Sequence, residues 1–166
     1  MNKIEINGKK IGVDHNPYFI ADIAANHDGS LERAIDLIWL AAESGADAAK
    51  FQNFTAKTLV SDRGFNSLNK VKTHQSKWKA SVYEMYDKAS VPLNWTETLL
   101  KTCKDAGIDY FTSIYDLSQI EYLNKYVCAW KIGSGDLTWH EMISNCARTK
   151  KPILIATGAS NLREVE

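Results

Sequence analysis

Cysteine is scarce in this 166-residue chain, and no two cysteines are spaced for joint chemistry. Cys103, Cys128 and Cys146 form no Cys-x-x-Cys pair, so they read as small buried residues of a reducing compartment, not as disulfides or a zinc site. A charge excess is also missing: 20 basic residues balance 20 acidic ones. Nothing in that balance favours nucleic acid or an anionic membrane as a partner. No apolar run is long enough to span a bilayer, and the polar N-terminus has no apolar leader segment. Cytoplasm is the expected compartment. Two nucleotide signatures are absent as well. No Gly-x-Gly-x-x-Gly follows the first buried strand, and no Gly-x-x-x-x-Gly-Lys-Ser/Thr occurs, so neither a dinucleotide fold nor a P-loop is supported.

What the chain does have is alternation. Asn7-Gly8 between Lys3–Ile6 and Lys10–Val13 predicts a small antiparallel hairpin, assigned to residues 1–14. Five apolar β-runs follow: Phe19–Ala25, Asp47–Phe51, Ile108–Ile114, Val127–Gly133 and Pro152–Ala156. Helical periodicity separates them. Leu31, Ala34, Ile35, Ile38, Ala41 and Ala42 share one face of a helix capped by Ser30 and ended by Gly45. Ser81 to Ala89 reads as a short helix. Asn94-x-x-Glu97, Asp116-x-x-Gln119 and Thr138-x-x-Glu141 read as capping boxes, and Ser160 as a further N-cap. From Thr55 to Lys77 periodicity is lost, which marks a long connection of the kind that often carries function.

Strands alternating with helices predict an α/β fold with a parallel sheet. Polar residues gather at the C-terminal ends of the strands, where a TIM-type (β/α) barrel keeps its active site. Eight β/α units take about 250 residues. Residues 15–166 have room for five, so the expectation is a barrel cut after strand five.

Two strands carry a lysine where a buried strand should carry an apolar residue: Lys50 in Ala48–Gln52, and Lys131 before Gly133-Ser134-Gly135. A buried ammonium needs an anion beside it. Glycines at 133 and 135 let backbone N–H groups approach that anion, and Ser134 adds a hydroxyl. Strand alternation aims Lys50 and Gln52 to one side of the sheet, and Lys131 to one side of its own strand. Two convergent lysines suit a dianionic, phosphorylated ligand. The competing readings are structural: Lys131 snorkels to the rim, or Asp22 holds both lysines in a Lys–Asp–Lys network. His27 is either a catalytic loop histidine or a turn cap. His15, His74 and His140 have no ligand spacing with it or with each other, so the sequence shows no complete metal site.

Four ordered motifs, Ile20–Gly29, Gly45–Gln52, Lys131–Asp136 and Lys151–Gly158, resemble the sialic acid synthase family, which includes N-acetylneuraminate, legionaminate and pseudaminate synthases. The resemblance implies a (β/α)8 barrel followed by a small antifreeze-like domain, so strands six to eight and that domain are expected to lie outside residues 1–166. It implies condensation of phosphoenolpyruvate with an N-acetylated hexosamine of the N-acetylmannosamine type, giving a nonulosonic acid and phosphate. It also implies a homodimer and a divalent cation, Mn or Mg, whose ligands belong to the later strands. By resemblance, Lys50, Ser113, Lys131 and Ser134 bind phosphoenolpyruvate, and Gln52 and Asp136 face the sugar. Asp22 matches an acidic position that is glutamate in many members, so Asp22, Lys50 and Lys131 are the catalytic candidates. Where some members have Ser-Thr-Gly and Ser-Thr-Pro-Phe, this chain has Ala156-Thr157-Gly158 and Thr112-Ser113-Ile114-Tyr115. Residues 1–166 alone are expected to be inactive. Two alternatives stay open: another phosphoenolpyruvate-condensing aldol-type synthase, and a non-catalytic half-barrel that binds a phospholigand.

Overall fold

The computed structural model of the chain describes residues 4–67, 78 and 80–166. Strands β1 (Ile4–Ile6) and β2 (Lys9–Ile11) pair antiparallel around Asn7-Gly8, both with positive φ, as the hairpin reading requires. Strands β3 (Ile20–Ala24), β4 (Ala48–Asn53), β5 (Asp109–Ile114), β6 (Trp130–Ile132) and β7 (Ile153–Ile155) form one parallel sheet. Their spatial order is their chain order, β3-β4-β5-β6-β7. That order is decisive. A doubly wound sheet reverses at a switch point, whereas right-handed crossovers in an unreversed order put every helix on one face, as in a (β/α) barrel.

The two faces of the sheet are accordingly different. Ile23, Ala49, Phe51, Tyr110, Ile114, Trp130 and Ile132 pack under the helices in the main core. Helix α1 (Leu31–Glu43) buries Ala34, Ile38 and Ala41 there. Helix α5 (Thr96–Asp105) adds Leu99 and Cys103, and α7 (His140–Arg148) adds Met142 and Cys146. Each fully buried aliphatic side chain among these contributes about 1.5–3 kcal/mol. On the opposite face Ala48, Phe111 and Ala129 pack with Ile6 of the hairpin. The hairpin thus closes the N-terminal end of the sheet's inner face. Asp47 accepts from Lys9 and from the Phe19 amide, and Asp109 accepts from Asn7 and Tyr18, which fastens it.

Helix ends explain where the sequence reading held and where it did not. Ser30 caps α1, and Gly45 and Ala46 donate back to Ala42 and Ala41 in a Schellman motif at φ +84°. Helix α4 (Val82–Ala89) opens on a full capping box between Ser81 and Glu84. Asn94 is not a cap: a 3₁₀ turn, Leu93–Trp95, leads straight into α5. Asp116 caps a 3₁₀ turn, Leu117–Gln119, that runs into α6 (Ile120–Leu123). Thr138 is not a cap either, since Trp139 sits at the start of α7 with no side-chain bond. Asn161, not Ser160, caps the short α8 (Leu162–Val165), where Glu164 completes the box. Most strands are shorter than their apolar runs, though β4 runs on to Asn53; Val127 and Ala129 are buried but lie outside β6, so burial extends that run beyond the strand. The connection read as aperiodic from Thr55 holds two short helices, α2 (Ala56–Leu59) and α3 (Asp62–Ser67). Its remainder to Lys77, with His74, lies outside the described residues.

Candidate functional site

Register brings the predicted residues together at the C-terminal end of the sheet's inner face. Asp22 is level with Lys50, which is level with Phe111. One rung further on, Gln52, Ser113, Lys131 and Leu154 form a row across four strands. Between Asp22 and Ala24 strand β3 carries a bulge, with Ala24 at φ +51°. Ile23, the residue left without a partner in the register, still enters the helical core, as alternation places it, while Asp22 stays on the lysine side.

Lys50 is 7% exposed and donates to Asp22 at 2.7 Å. A buried ammonium therefore has its counter-ion, one half of the structural network read from the sequence. The other half is different. Lys131 donates to the Ile132 carbonyl at 2.6 Å, not to a carboxylate. Burial, and then the charge of Lys50, pull its pKa below the usual lysine value, with Asp22 and Asp136 opposing. Asp136 moves the other way: burial raises its carboxyl pKa, and Lys131 only partly offsets this. Each shift disfavours the charged form of its own side chain. An anion placed between the lysines would favour the ammonium of Lys131.

The turn after β6 completes the rim. Gly133 to Asp136 closes a 3₁₀ turn, and the Asp136 carboxylate folds back over Gly133. A Cβ at Gly133 would stand 3.0 Å from Asp136 Oδ2 and 3.3 Å from the Tyr115 hydroxyl. Glycine there serves close approach and not backbone freedom, since its φ of −67° is open to any residue. Ser134 lies at the rim beside Gly158 of the loop after β7, whereas Ser113 is level with Lys131 by register.

Tyr115 is the residue the sequence reading missed. It stands among Ser113, Asp136 and Phe54, and burial raises its hydroxyl pKa. The signal was present in Thr112-Ser113-Ile114-Tyr115, where the aromatic carries a hydroxyl. Beside it, a cleft of about 330 Å³ opens among Gln52, Phe54, Leu59, Val60, Phe65 and Tyr86.

His27 is placed elsewhere. It is fully buried, its Nδ1 accepts from the Gly29 amide at 3.1 Å, and its ring meets Trp95 edge-on at 5.5 Å. Burial lowers its pKa, and the nearby Ala89 backbone opposes this. It joins the loop after β3 to the end of α4. Among the described residues no three His, Cys, Asp or Glu side chains converge. Asp22 is held by Lys50 and His27 is turned inward, so these side chains do not fit a divalent cation by themselves. No helix among the described residues is long and apolar enough to cross a membrane.

Comparison with known proteins gives the chain its relatives. The chain is 33% identical over 156 residues to the pseudaminic acid synthase of Campylobacter jejuni, covering 92% of this chain and 44% of that protein. It is 32% identical over 163 residues to the N,N'-diacetyllegionaminic acid synthase of Legionella pneumophila, covering 97% of this chain and 45% of that one. The chain thus spans less than half the length of these relatives. A crystal structure of N-acetylneuraminic acid synthetase from Leptospira borgpetersenii, in complex with citrate, superposes with a TM-score of 0.80 at 20% identity. The superposition covers 99% of this chain and 52% of that one, and shares the fold. The NeuB family model matches residues 37–166, from the middle of α1 through the lysine strands to the last residue, and the chain belongs to that family.

Proposed function

We propose that the protein carrying this chain condenses phosphoenolpyruvate with an N-acetylated hexosamine, releasing phosphate and a nonulosonic acid. The observation that carries the proposal is the pair of inward lysines on neighbouring rungs, only one of which has a carboxylate partner among the described residues. Lys50 is neutralised by Asp22, and Lys131 keeps its ammonium for an incoming anion. Phosphoenolpyruvate offers a phosphate and a carboxylate about one rung apart, which suits two cationic anchors.

The roles follow from position. Lys50 and Lys131 hold the two anionic groups, with the Ser113 and Ser134 hydroxyls as donors. Gln52 and Asp136, at the rim, face the hydroxyls of the sugar. C3 of phosphoenolpyruvate attacks the sugar aldehyde carbon, whose oxygen takes up a proton from solvent to become the new hydroxyl, and C2 develops cationic character that the Asp22 carboxylate stabilises. Water adds at C2, and the tetrahedral intermediate expels phosphate as the C–O bond breaks. Asp22, level with Lys50 and largely open to solvent, is placed to accept a proton from that water. The Mn or Mg ion expected for this chemistry would take its ligands outside the described residues and would polarise the sugar aldehyde when bound.

The test is phosphate release by the full-length protein with phosphoenolpyruvate, Mn and a panel of mono- and di-N-acetylated hexosamines. Sugar-dependent release is expected with at least one of them. Release that is independent of sugar, or absent across the panel, overturns the proposal.

A further inference from the structure

Asp116 is the one buried carboxylate among the described residues, at 8% exposure, and the proposed chemistry makes no use of it. Among those residues no lysine or arginine stands within ion-pair distance of it. Its charge is met by hydrogen-bond donors alone. Oδ1 accepts from the Ser118 amide at 2.9 Å and from the Ser118 hydroxyl at 2.6 Å. Oδ2 accepts from the Gln119 carboxamide at 3.4 Å and from the Thr58 hydroxyl at 3.3 Å. A buried carboxylate without a cation is costly unless such donors are kept.

The Ser118 and Gln119 donors are local, in the 3₁₀ turn that follows β5. Thr58 is not: it stands on α2, 58 residues earlier in the chain. Strands β4 and β5 leave the sheet side by side, with Asn53 level with Ile114 and the Tyr115 amide donating to the Asn53 carbonyl. Beyond that rung the Thr58–Asp116 bond joins the two segments again. The bond has a direction. Thr58 has one hydroxyl proton, and a carboxylate is a stronger acceptor than the Thr55 carbonyl 3.2 Å away. The Thr55 hydroxyl, 2.7 Å from that of Thr58, then donates to it.

Helix α2 depends on that bond. It has four residues and no side-chain N-cap, and Ala56 is its one buried side chain. A single helical turn does not persist alone. Leu59 of α2 lies beside the rim that Gln52 and Tyr115 form, and Tyr115 directly precedes Asp116. The lysines, by contrast, stand on β4 and β6 and are held by strand pairing. Loss of the bond therefore moves the rim beside Gln52 and leaves the anion site in place. Resting on the condensation proposed above, we propose that Asp116 is a positioning residue for the hexosamine: it acts through Thr58 to hold α2 against the loop after β5, and it touches neither substrate.

The test is steady-state kinetics of the full-length protein with the best hexosamine of the panel, each substrate varied in turn. Thr58→Val removes the hydroxyl at nearly constant volume. It should raise KM for the hexosamine about tenfold, since small misplacements beside a site are felt on that scale or beyond. KM for phosphoenolpyruvate should stay within about twofold, because the lysines share no partner with this pair. Thr58→Ser keeps the hydroxyl and should restore the wild-type value. Asp116→Ala should show the same split between substrates. Adding Thr58→Val to it should raise KM little further, because both changes break one bond. If Asp116→Ala does not fold, the two Thr58 variants decide. Equal rises for both substrates, no rise in Thr58→Val, or no rescue by serine overturn the assignment and leave the condensation standing. If the wild-type protein turns over no N-acetylated hexosamine, both fall together.

Discussion

Lys50 and Asp22 form a 2.7 Å ion pair whose two ends live in different solvents: the lysine is 7% exposed, whereas the Asp22 side chain is 61% exposed. The pair is therefore asymmetric. Removing the carboxylate strands a charge that water reaches poorly, but the lost attraction was itself screened on the Asp22 side. Asp22→Asn should cost about 1–2 kcal/mol of stability, read from the urea midpoint. The same change removes a negative charge that competes with an anionic ligand for Lys50. Affinity for phosphoenolpyruvate should hold or rise by titration calorimetry, while turnover falls at least tenfold. A purely structural network predicts the opposite pattern, with weaker binding and turnover lost only in proportion to it.

His27 should separate packing from chemistry. Its ring is fully buried against Trp95 and between the loop after β3 and the end of α4. His27→Ala leaves a cavity and frees the Gly29 amide, which should cost about 2–4 kcal/mol in denaturant unfolding. Phosphoenolpyruvate affinity of the folded variant should stay within twofold. A larger loss of affinity without a loss of stability would return His27 to the site.

The parts of the fold that were legible in the sequence are those set by burial. The β-runs, the stripe of α1 and the glycine stop at Gly45 are direct consequences of which residues must leave water. Lys50 and Lys131 were legible because they break such runs. Boundaries were less legible: Ala129 is fully buried but lies outside β6, so hydrophobicity could not say where β6 begins. Asn94 and Thr138 have capping chemistry in their sequence, yet the 3₁₀ turn before α5 takes the Thr96 amide, and the first amide of α7, that of His140, donates to the backbone carbonyl of Thr138. Helices α2 and α3 are too short to show a period. Tyr115 was hidden for another reason. Its position follows from register and from the fold-back of Asp136 over Gly133, neither of which is local in sequence.

Gly133 tests the rim. Its φ of −67° admits alanine, so Gly133→Ala should leave stability within about 1 kcal/mol of wild type. The new methyl would lie 3.0 Å from Asp136 Oδ2 and must push that carboxylate away. If Asp136 faces the sugar, KM for the hexosamine should rise roughly tenfold, the equivalent of about 1.4 kcal/mol, with the phosphoenolpyruvate KM little changed. Steady-state kinetics with each substrate varied in turn checks this. An equal rise in both KM values would move Asp136 to the anion side.

Lys131 gives the prediction with a pH signature. In the free protein, burial and the neighbouring Lys50 hold its pKa below the usual 10.5, and Asp22 and Asp136 compensate only in part. The free protein therefore begins to lose this proton at a lower pH than an exposed lysine would. A bound dianion favours the ammonium, so binding raises the Lys131 pKa and must draw in a proton wherever the free lysine is partly deprotonated. Affinity should be flat on the acid side of the free-protein pKa and fall as pH climbs through it, in a window opening below 10.5. The phosphate of the ligand, with its second pKa near about 6, is already dianionic across that window and adds no slope. Titration calorimetry in buffers of different ionisation enthalpy should show net proton uptake that grows with pH. Lys131→Met should abolish the uptake and weaken binding by about 1.5–3 kcal/mol. Lys131→Arg, charged at every pH in the window, should keep part of the affinity and lose the alkaline fall. Uptake that persists in Lys131→Met would assign the proton to another group and remove Lys131 from the anion site.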